Sequence, residues 1–375
     1  MKELLESTEV ILDCLSDGVY VCDRERRIVY WSKSAERITG WQSEDVVGRL
    51  CLEDILRHED KDGNRMCGEE HCPLHRAIVT GVTTTVPMIV FAHGKDGRKI
   101  PMQVTAAPIR NGAGEVVGGV ETFCDASPLL VDLERAKNIQ AQTLEQEVPD
   151  DPRLRFSTFY LPHDIVGGDY YGVKQLDKDR YGFLLADMEG HGLVAALYTM
   201  HLGIVWNQHY QLLENPAEFA AEVNKELVRI FGGIVTFAAA ICGVIDARAG
   251  TVRLTGAGGP SPLVIQANQT AETIRVPGPP FGVMEDVPYE EQTVQLEPGD
   301  SILLFSDGAF EIHNAEDELL GVDGLARILK SLDYPQTPLN MAALAEELLK
   351  FSNDIRLQDD IAIIEMRFLG QHASD

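Results

Sequence analysis

Four places in the second half of this chain put an aspartate at the edge of an apolar or glycine-rich run. DIVGGDYYGV brings Asp169 in behind two glycines, Gly167 and Gly168, which permit close backbone packing. YGFLLADMEGHG is an apolar run that ends at Asp187 and passes into a glycine-rich turn. DSILLFSDGAFE repeats the device, with Ile302 to Phe305 delivering Asp307 and Gly308. LQDDIAIIEMRF sets Asp359 and Asp360 directly before a final strand. Any one of these reads on its own as a turn or a helix cap. An aspartate at the end of a buried strand is costly unless it is paired or holds a cation, so the set together argues for a shared site.

Carboxylate oxygens suit Mg²⁺ and Mn²⁺, and aspartates from separate strands can converge on two ions roughly 3.5 to 4 Å apart. Such a pair would lower the pKa of a bridging water for in-line attack on phosphorus and offset charge on the phosphoryl oxygens. No serine or cysteine nucleophile is then required. The turn after Asp187 opens a helix whose apolar face is expected at Leu193, Leu197, Met200 and Ile204.

With 375 residues the chain exceeds one typical domain and has room for two cores. Its 32 basic against 59 acidic side chains give a net charge of −27, which repels phosphate backbones and anionic lipid surfaces. Nucleic acid and membranes are therefore not expected partners. No apolar stretch approaches the ~20 residues of a bilayer span, and MKELLESTEVILDCL lacks a signal-peptide cleavage site. The expected location is the cytoplasm, with the seven cysteines reduced or at a local metal site.

Ahead of the aspartates, residues 18 to 125 alternate short strands and helices. DGVYVCD reads as a strand, DRERR as a turn and RIVYWS as its hairpin partner, followed by helical SAERITGW. In IPMQVTAAP, strict alternation puts Ile100, Met102, Val104 and Ala106 on one face; NGAGE then turns the chain into VVGGVETF. An α+β unit closed by a three-strand meander is expected. This stretch resembles a PAS domain at DGVYVCD, IVYWSKSAERITGW, FAHGKDGRKIPMQVTAAPI and GEVVGGVETFCD. The resemblance implies an antiparallel sheet with helices, a sensor of small ligands, cofactors or redox state, and dimerisation.

Within it, GRLCLEDILRHEDKDGNRMCGEEHCPLH gathers Cys51, His58, Cys67, His71, Cys72 and His75. Thiolates and imidazoles suit zinc or iron–sulfur ligation, four convergent groups being enough. Small buried thiols with surface histidines are the equal alternative, and haem is disfavoured because no C-x2-C-H motif occurs.

SPLLVDLERAKNIQAQTLEQEVP, in the segment from 126 to 149, is rich in helix formers and stops at Pro149. Leu129, Leu133, Ala136, Gln140 and Thr143 follow a 4-3-4-3 spacing, a weak coiled-coil seam that either dimerises or packs on one domain. The expected organisation is a sensor domain over 1–125, a linker helix over 126–149, a catalytic domain over 150–369 and a tail over 370–375.

The catalytic region resembles the metal-dependent Ser/Thr phosphatases of the PPM type, in the branch of sporulation stage II protein E and the sigma-factor regulators. The ordered motifs are ERAKNIQAQTLEQEVP, VGGDYYGV, ADMEGHG, TFAAAICGVIDARAGTVRLTGAGGPSPLVI, PPFGVMEDVPYEEQTVQLEPGDSILLFSDGAFEIHNAEDELLG and DDIAIIEMRF. The resemblance implies a β-sandwich flanked by helices, with the metal site at one end. Asp169 would bridge two Mn²⁺ or Mg²⁺ ions, and Asp187 and the Met188 carbonyl would bind one of them. Asp307 and Asp359 would complete the set, with Asp360 a weaker candidate and His191 near phosphate or water. Gly172 and Gly259 depart from the branch, where many members carry Asp and His. The implied substrate is phosphoserine or phosphothreonine on a partner protein, an anti-sigma-factor antagonist by analogy.

Two other classes remain in view. A non-catalytic phosphoprotein-binding scaffold would have to retain carboxylates that repel one another. GGDYY superficially resembles a diguanylate cyclase signature, which would require a hairpin between βαβ units.

Overall fold

The computed structural model describes residues 8–53, 55–68, 71–85, 89–144, 148–190, 192–233, 236–352 and 359–370. The chain forms two compact units, Met1–Arg135 and Ala136–Asp375.

The first unit holds α1 (Thr8–Asp13), β1 (Gly18–Asp23), β2 (Ile28–Trp31), α2 (Lys33–Thr39), α3 (Ser43–Val46), α4 (Pro73–Thr80), β3 (Thr84–Thr85), β4 (Val90–His93), β5 (Lys99–Arg110) and β6 (Val116–Asp125). The antiparallel sheet runs β2-β1-β6-β5-β3, with β4 also paired to β5. The expected hairpin is β1/β2, and the expected meander is β4-β5-β6. Ile100, Met102, Val104 and Ala106 are all buried, as the alternation requires. Ser32 caps α2 by accepting from the Ala35 amide, and Gly40 ends it in the left-handed conformation.

The helix α5 (Ser127–Leu144) carries the chain from one unit into the other. Only Gln140 and Leu144 are buried along it, whereas Leu129 of the expected seam is exposed.

The second unit contains β7 (Leu154–Leu161), β8 (Asp169–Gln175), β9 (Arg180–Met188), α6 (Leu193–His209), α7 (Pro216–Phe231), β10 (Ala238–Asp246), β11 (Thr251–Ala257), β12 (Leu263–Ile265), β13 (Ala271–Thr273), β14 (Gln292–Gln295), β15 (Ser301–Phe305), α8 (Gly321–Ser331), α9 (Met341–Ser352) and β16 (Ile361–Phe368). Two five-stranded antiparallel sheets result, β14-β11-β10-β9-β8 and β13-β12-β15-β16-β7. Phe183, Leu185, Ile241 and Ile245 of one sheet pack with Ile302, Leu304, Ile364 and Met366 of the other. The alternate residues of β9, Leu184, Ala186 and Met188, turn to Trp206, Phe219 and Leu227 of α6 and α7. Leu303, Phe305 and Ile363 meet Leu325, Leu329, Leu344 and Leu348 of α8 and α9. Helices thus cover both outer faces, which is why YGFLLA and SILLF read as continuous apolar runs instead of alternating ones.

One expectation fails at α6. Leu193, Leu197 and Ile204 are exposed; the buried face is Ala195, Ala196, Thr199, Leu202, Gly203 and Trp206. Small residues win that face because the helix approaches its neighbours closely. A Cβ on Gly203 would stand 2.6 Å from Thr143 Cγ2 and 3.2 Å from the Tyr170 ring.

Candidate metal centre

The centre is built by strand ends. β8 and β9 pair so that Asp169 lies directly across from Asp187. β15 and β16 pair in the second sheet, so Asp307, just beyond Phe305, and Asp359 with Asp360, just before Ile361, emerge at one end of that pair. Asp169 is buried, Asp187 and Asp307 are partly buried and Asp359 is exposed. Asp169 Oδ2 and Asp307 Oδ1 are buried without a hydrogen-bond partner.

The electrostatics follow from this crowding. Burial first, then repulsion from Asp307, Asp359 and Asp360, pushes Asp187 up to about 8. Asp307 is pushed up to about 6 by burial and then by Asp359. Asp169 is raised well above the carboxylate range, by burial and then by Asp187. Carboxyls held this way are neutralised either by protons or by cations. Orphaned buried oxygens and an all-oxygen donor set fit hard divalent ions of the Mg²⁺ and Mn²⁺ class.

Asp360 has another occupation. Its Oδ1 accepts from the His163 amide at 2.6 Å and its Oδ2 from the Gly168 amide at 2.5 Å. It thereby fixes the segment that leads into Asp169. Gly167 and Gly168 have no room for side chains: a Cβ at Gly167 would lie 2.1 Å from Tyr160 Oη and 2.6 Å from Asp360 Oδ2. At Gly168 it would meet the Met188 carbonyl oxygen at 3.1 Å and that of Gly190 at 3.0 Å. The Met188 carbonyl is thus beside the segment that leads into Asp169. Thr199 of α6 donates to the Gly168 carbonyl at 2.7 Å.

A contact that the sequence reading did not assign comes from α5. Buried Gln140 donates from Nε2 to the Gly167 carbonyl at 2.7 Å and accepts the Gly167 amide on Oε1 at 3.2 Å. Its position on the seam was the available signal, since a glutamine at a core position of a helix needs a specific partner.

The two departures have a steric basis. A Cβ on Gly172 would stand 2.9 Å from the Trp206 indole, and one on Gly259 would stand 2.7 Å from the Ala240 backbone. His191 lies outside the described residues. The GGDYY segment enters an edge strand of a sandwich sheet and does not form a hairpin between βαβ units, which removes the cyclase reading.

In the first unit, Cys51, His58, Cys67 and Cys72 line one small cavity, whereas His71 and His75 do not. Two further groups belong to this cluster: Cys22, in contact with the Cys51 thiol, and buried Glu121, 3.8 Å from His58 Nε2. Alternation on β6 signals Glu121, because it shares the inward face of Phe123.

Comparisons with known proteins agree with this architecture. A PAS fold model matches residues 6–123, and the model for Stage II sporulation protein E (SpoIIE) matches residues 177–369. Phosphoserine phosphatase RsbP of Bacillus subtilis is 26% identical over 183 residues, covering 48% of this chain and 45% of its own length. Phosphoserine phosphatase RsbU of the same organism is 24% identical over 237 residues, 63% of this chain and 70% of the relative. The match to RsbP thus spans about half of that relative. Among solved structures, the SiaA-PP2C domain of Pseudomonas aeruginosa superposes with a TM-score of 0.55 at 22% identity, over 65% of this chain and 99% of that one. The RsbU and RsbW domains of Rv1364c from Mycobacterium tuberculosis give 0.52 at 23% identity, over 62% and 64%. With a PAS domain ahead of a helix-flanked β-sandwich that carries the matched segment, this chain belongs to the Stage II sporulation protein E (SpoIIE) family.

Proposed function

We propose that the chain is a metal-dependent protein serine/threonine phosphatase whose activity is governed by its PAS domain. The observation that carries this reading is the convergence of Asp169, Asp187, Asp307 and Asp359 at strand ends, with buried carboxylate oxygens left unpartnered. Asp169, Asp187, the Met188 carbonyl, Asp307 and Asp359 would hold two Mn²⁺ or Mg²⁺ ions. Ions bound there would supply Lewis-acid activation of water and charge neutralisation at a phosphoryl group. The chain's own contribution is orientation. The β8/β9 register sets Asp169 against Asp187, and Asp360 and Gln140 pin the backbone on either side of Gly167. Asp360 is assigned this positioning role in preference to direct ligation.

The substrate class is a phosphoserine or phosphothreonine protein. RsbP and RsbU are named phosphoserine phosphatases, and an anti-sigma-factor antagonist is the partner proposed by analogy with their branch. A signal in the PAS domain is proposed to act through α5, which bonds Gly167 two residues ahead of Asp169. A groove of about 290 Å³, open to solvent, runs beside the helix there, between Lys137, Gln140 and Leu144 on one side and Tyr160, Ile165 and Tyr171 on the other. Such a contact has room for a second arrangement, which two-state control requires. Dimerisation through the PAS domain and the exposed Leu129 side of α5 is part of the same proposal.

Hydrolysis of p-nitrophenyl phosphate by the full chain, in EDTA or with Mn²⁺ or Mg²⁺, tests the reading. Turnover that requires the ions and disappears in Asp187→Asn supports it. A folded, Mn²⁺-loaded protein that binds a phosphoserine peptide without cleaving it would make the chain a binding scaffold instead.

A further inference from the structure

Cys51, Cys67, Cys72 and His58 line one cavity of the PAS domain, yet their donor atoms do not converge as a single ion requires. Among the described residues, the group whose donor atoms all lie within 4.8 Å of one another is His209, Glu222 and Glu226, in the other unit. The zinc or iron–sulfur expectation for the PAS cysteines therefore finds no coordination geometry. What the fold does bring together is a pair: the Cys22 thiol donates a hydrogen bond to the Cys51 sulfur.

The β1/β2 hairpin explains the meeting. Beyond α3 the chain returns along its edge, where Arg27 bridges Leu50 and the Cys51 amide donates to the Arg26 carbonyl at 3.0 Å. That return delivers Cys51 to the turn end of the hairpin, close to the shift of register between Val21 and Cys22. Cys22 is fully buried there, whereas Cys51 is half-buried on the cavity wall. Sulfurs already in contact need only a small further approach to reach bonding geometry.

Buried thiols usually serve as small apolar filling. This pair differs because one member is reachable and the two are chemically unlike. The hydrogen bond from Cys22 holds Cys51 below the ordinary thiol value, and the Arg26 guanidinium on the same cavity wall adds to it against the effect of burial. The same bond, and then burial, raise Cys22, which stays a thiol. Burial pushes Cys67 up to about 12 and Cys72 up to about 11. A thiolate-prone, reachable cysteine beside a protonated one is the arrangement of a redox-active pair. The cavity at Cys51, about 10 Å³, admits about one water-sized body, which favours hydrogen peroxide over bulkier hydroperoxides.

We propose that Cys51 and Cys22 form a site of oxidation by hydrogen peroxide, with Cys51 as the attacking sulfur and Cys22 as the resolving thiol. The Cys51 thiolate attacks one peroxide oxygen: the S–O bond forms, the O–O bond breaks, and the departing hydroxide takes up the proton that Cys51 released, leaving as water. The Cys22 sulfur then attacks the Cys51 sulfenic acid. The S–S bond forms, the S–O bond breaks, and hydroxide leaves with the Cys22 proton as a second water. The two sulfurs lose two electrons and the peroxide gains them.

The test treats the full, reduced chain with hydrogen peroxide in EDTA, alkylates the remaining thiols and maps the unreduced peptides by mass spectrometry. Expected are the loss of two of the seven thiols, one intramolecular Cys22–Cys51 cross-linked peptide, and recovery of all seven thiols with dithiothreitol. In the wild-type chain Cys51 should react at least about tenfold faster than Cys67 or Cys72, as its thiolate character dictates. Cys22→Ser should halt the reaction at a Cys51 sulfenic acid that dimedone traps, and Cys51→Ser should abolish both products. The wild-type map decides the matter even where a variant fails to fold. A folded wild-type chain that keeps all seven thiols in excess peroxide would overturn the proposal. So would a Cys51 sulfenic acid that persists beside reduced Cys22, or a cross-link from Cys51 to Cys67, Cys72 or a second chain. The readout is thiol chemistry within the PAS domain, so neither result bears on the phosphatase reading.

Discussion

Asp187 shows how one residue couples stability to pH. Its carboxyl is pushed up to about 8 by burial and then by Asp307, and Asp307 is itself raised to about 6. An ordinary carboxyl titrates near ~4. A folded value above the unfolded one means that the fold holds extra protons. The stabilisation is therefore complete below the unfolded pKa and is lost as pH rises through the folded one. Metal-free protein should accordingly melt lower at about pH 8.5 than at about pH 5 in EDTA. Mn²⁺ should restore more at the higher pH, and Asp187→Asn should flatten the dependence, as read by calorimetry. A metal-free melting temperature that rises over this range would contradict the crowded-carboxylate account. In turnover, Asp187→Asn and Asp307→Asn should each lose at least about a hundredfold in rate with the fold intact, the scale of removing one group that stabilises developing charge. Gly167→Ala is a steric test at the same place. With Tyr160 Oη 2.1 Å from its Cβ, it should lower stability by about 1–3 kcal/mol in denaturant unfolding.

At the scale of elements, the strands were legible and the helix faces were not. The runs YGFLLA and SILLF announce buried strands by length and apolarity, and the aspartates mark where they stop. On α6 the large apolar residues suggest the buried face, whereas close approach to Tyr170 selects Gly203, and close approach to Gly168 selects Ala195 and Thr199. The role of Asp360 was equally hidden, since its bonds run to His163 and Gly168, 197 and 192 residues away in sequence. No local pattern encodes such a partner. The contact of α5 yields a prediction of its own. Gln140→Leu removes both bonds to Gly167 and leaves its amide and carbonyl to find other partners. Apparent Mn²⁺ affinity in the hydrolysis assay should weaken by several-fold, with the far-UV circular dichroism spectrum unchanged. An unaltered metal dependence would remove α5 from the pathway to the centre.

For the whole molecule, two units joined through one helix account for a chain whose two halves carry unrelated chemistry. The first gathers sulfur and imidazole, the second gathers carboxylate oxygen, and a chain of net charge −27 carries both. Among the described residues no helix is long and apolar enough to cross a membrane. Deleting residues 1–125 should change turnover or metal affinity if the PAS domain governs the centre; identical kinetics would separate the two units functionally. The central claim is that the aspartates form a two-ion hydrolytic centre. It is tested most directly by counting bound Mn²⁺ and p-nitrophenyl phosphate turnover in the same samples, for the wild-type chain and for Asp169→Asn. The account predicts two ions per chain at the aspartates, turnover that rises with their occupancy, and loss of both in the variant. Turnover that persists in EDTA, or full Mn²⁺ binding and activity in Asp169→Asn, would contradict it.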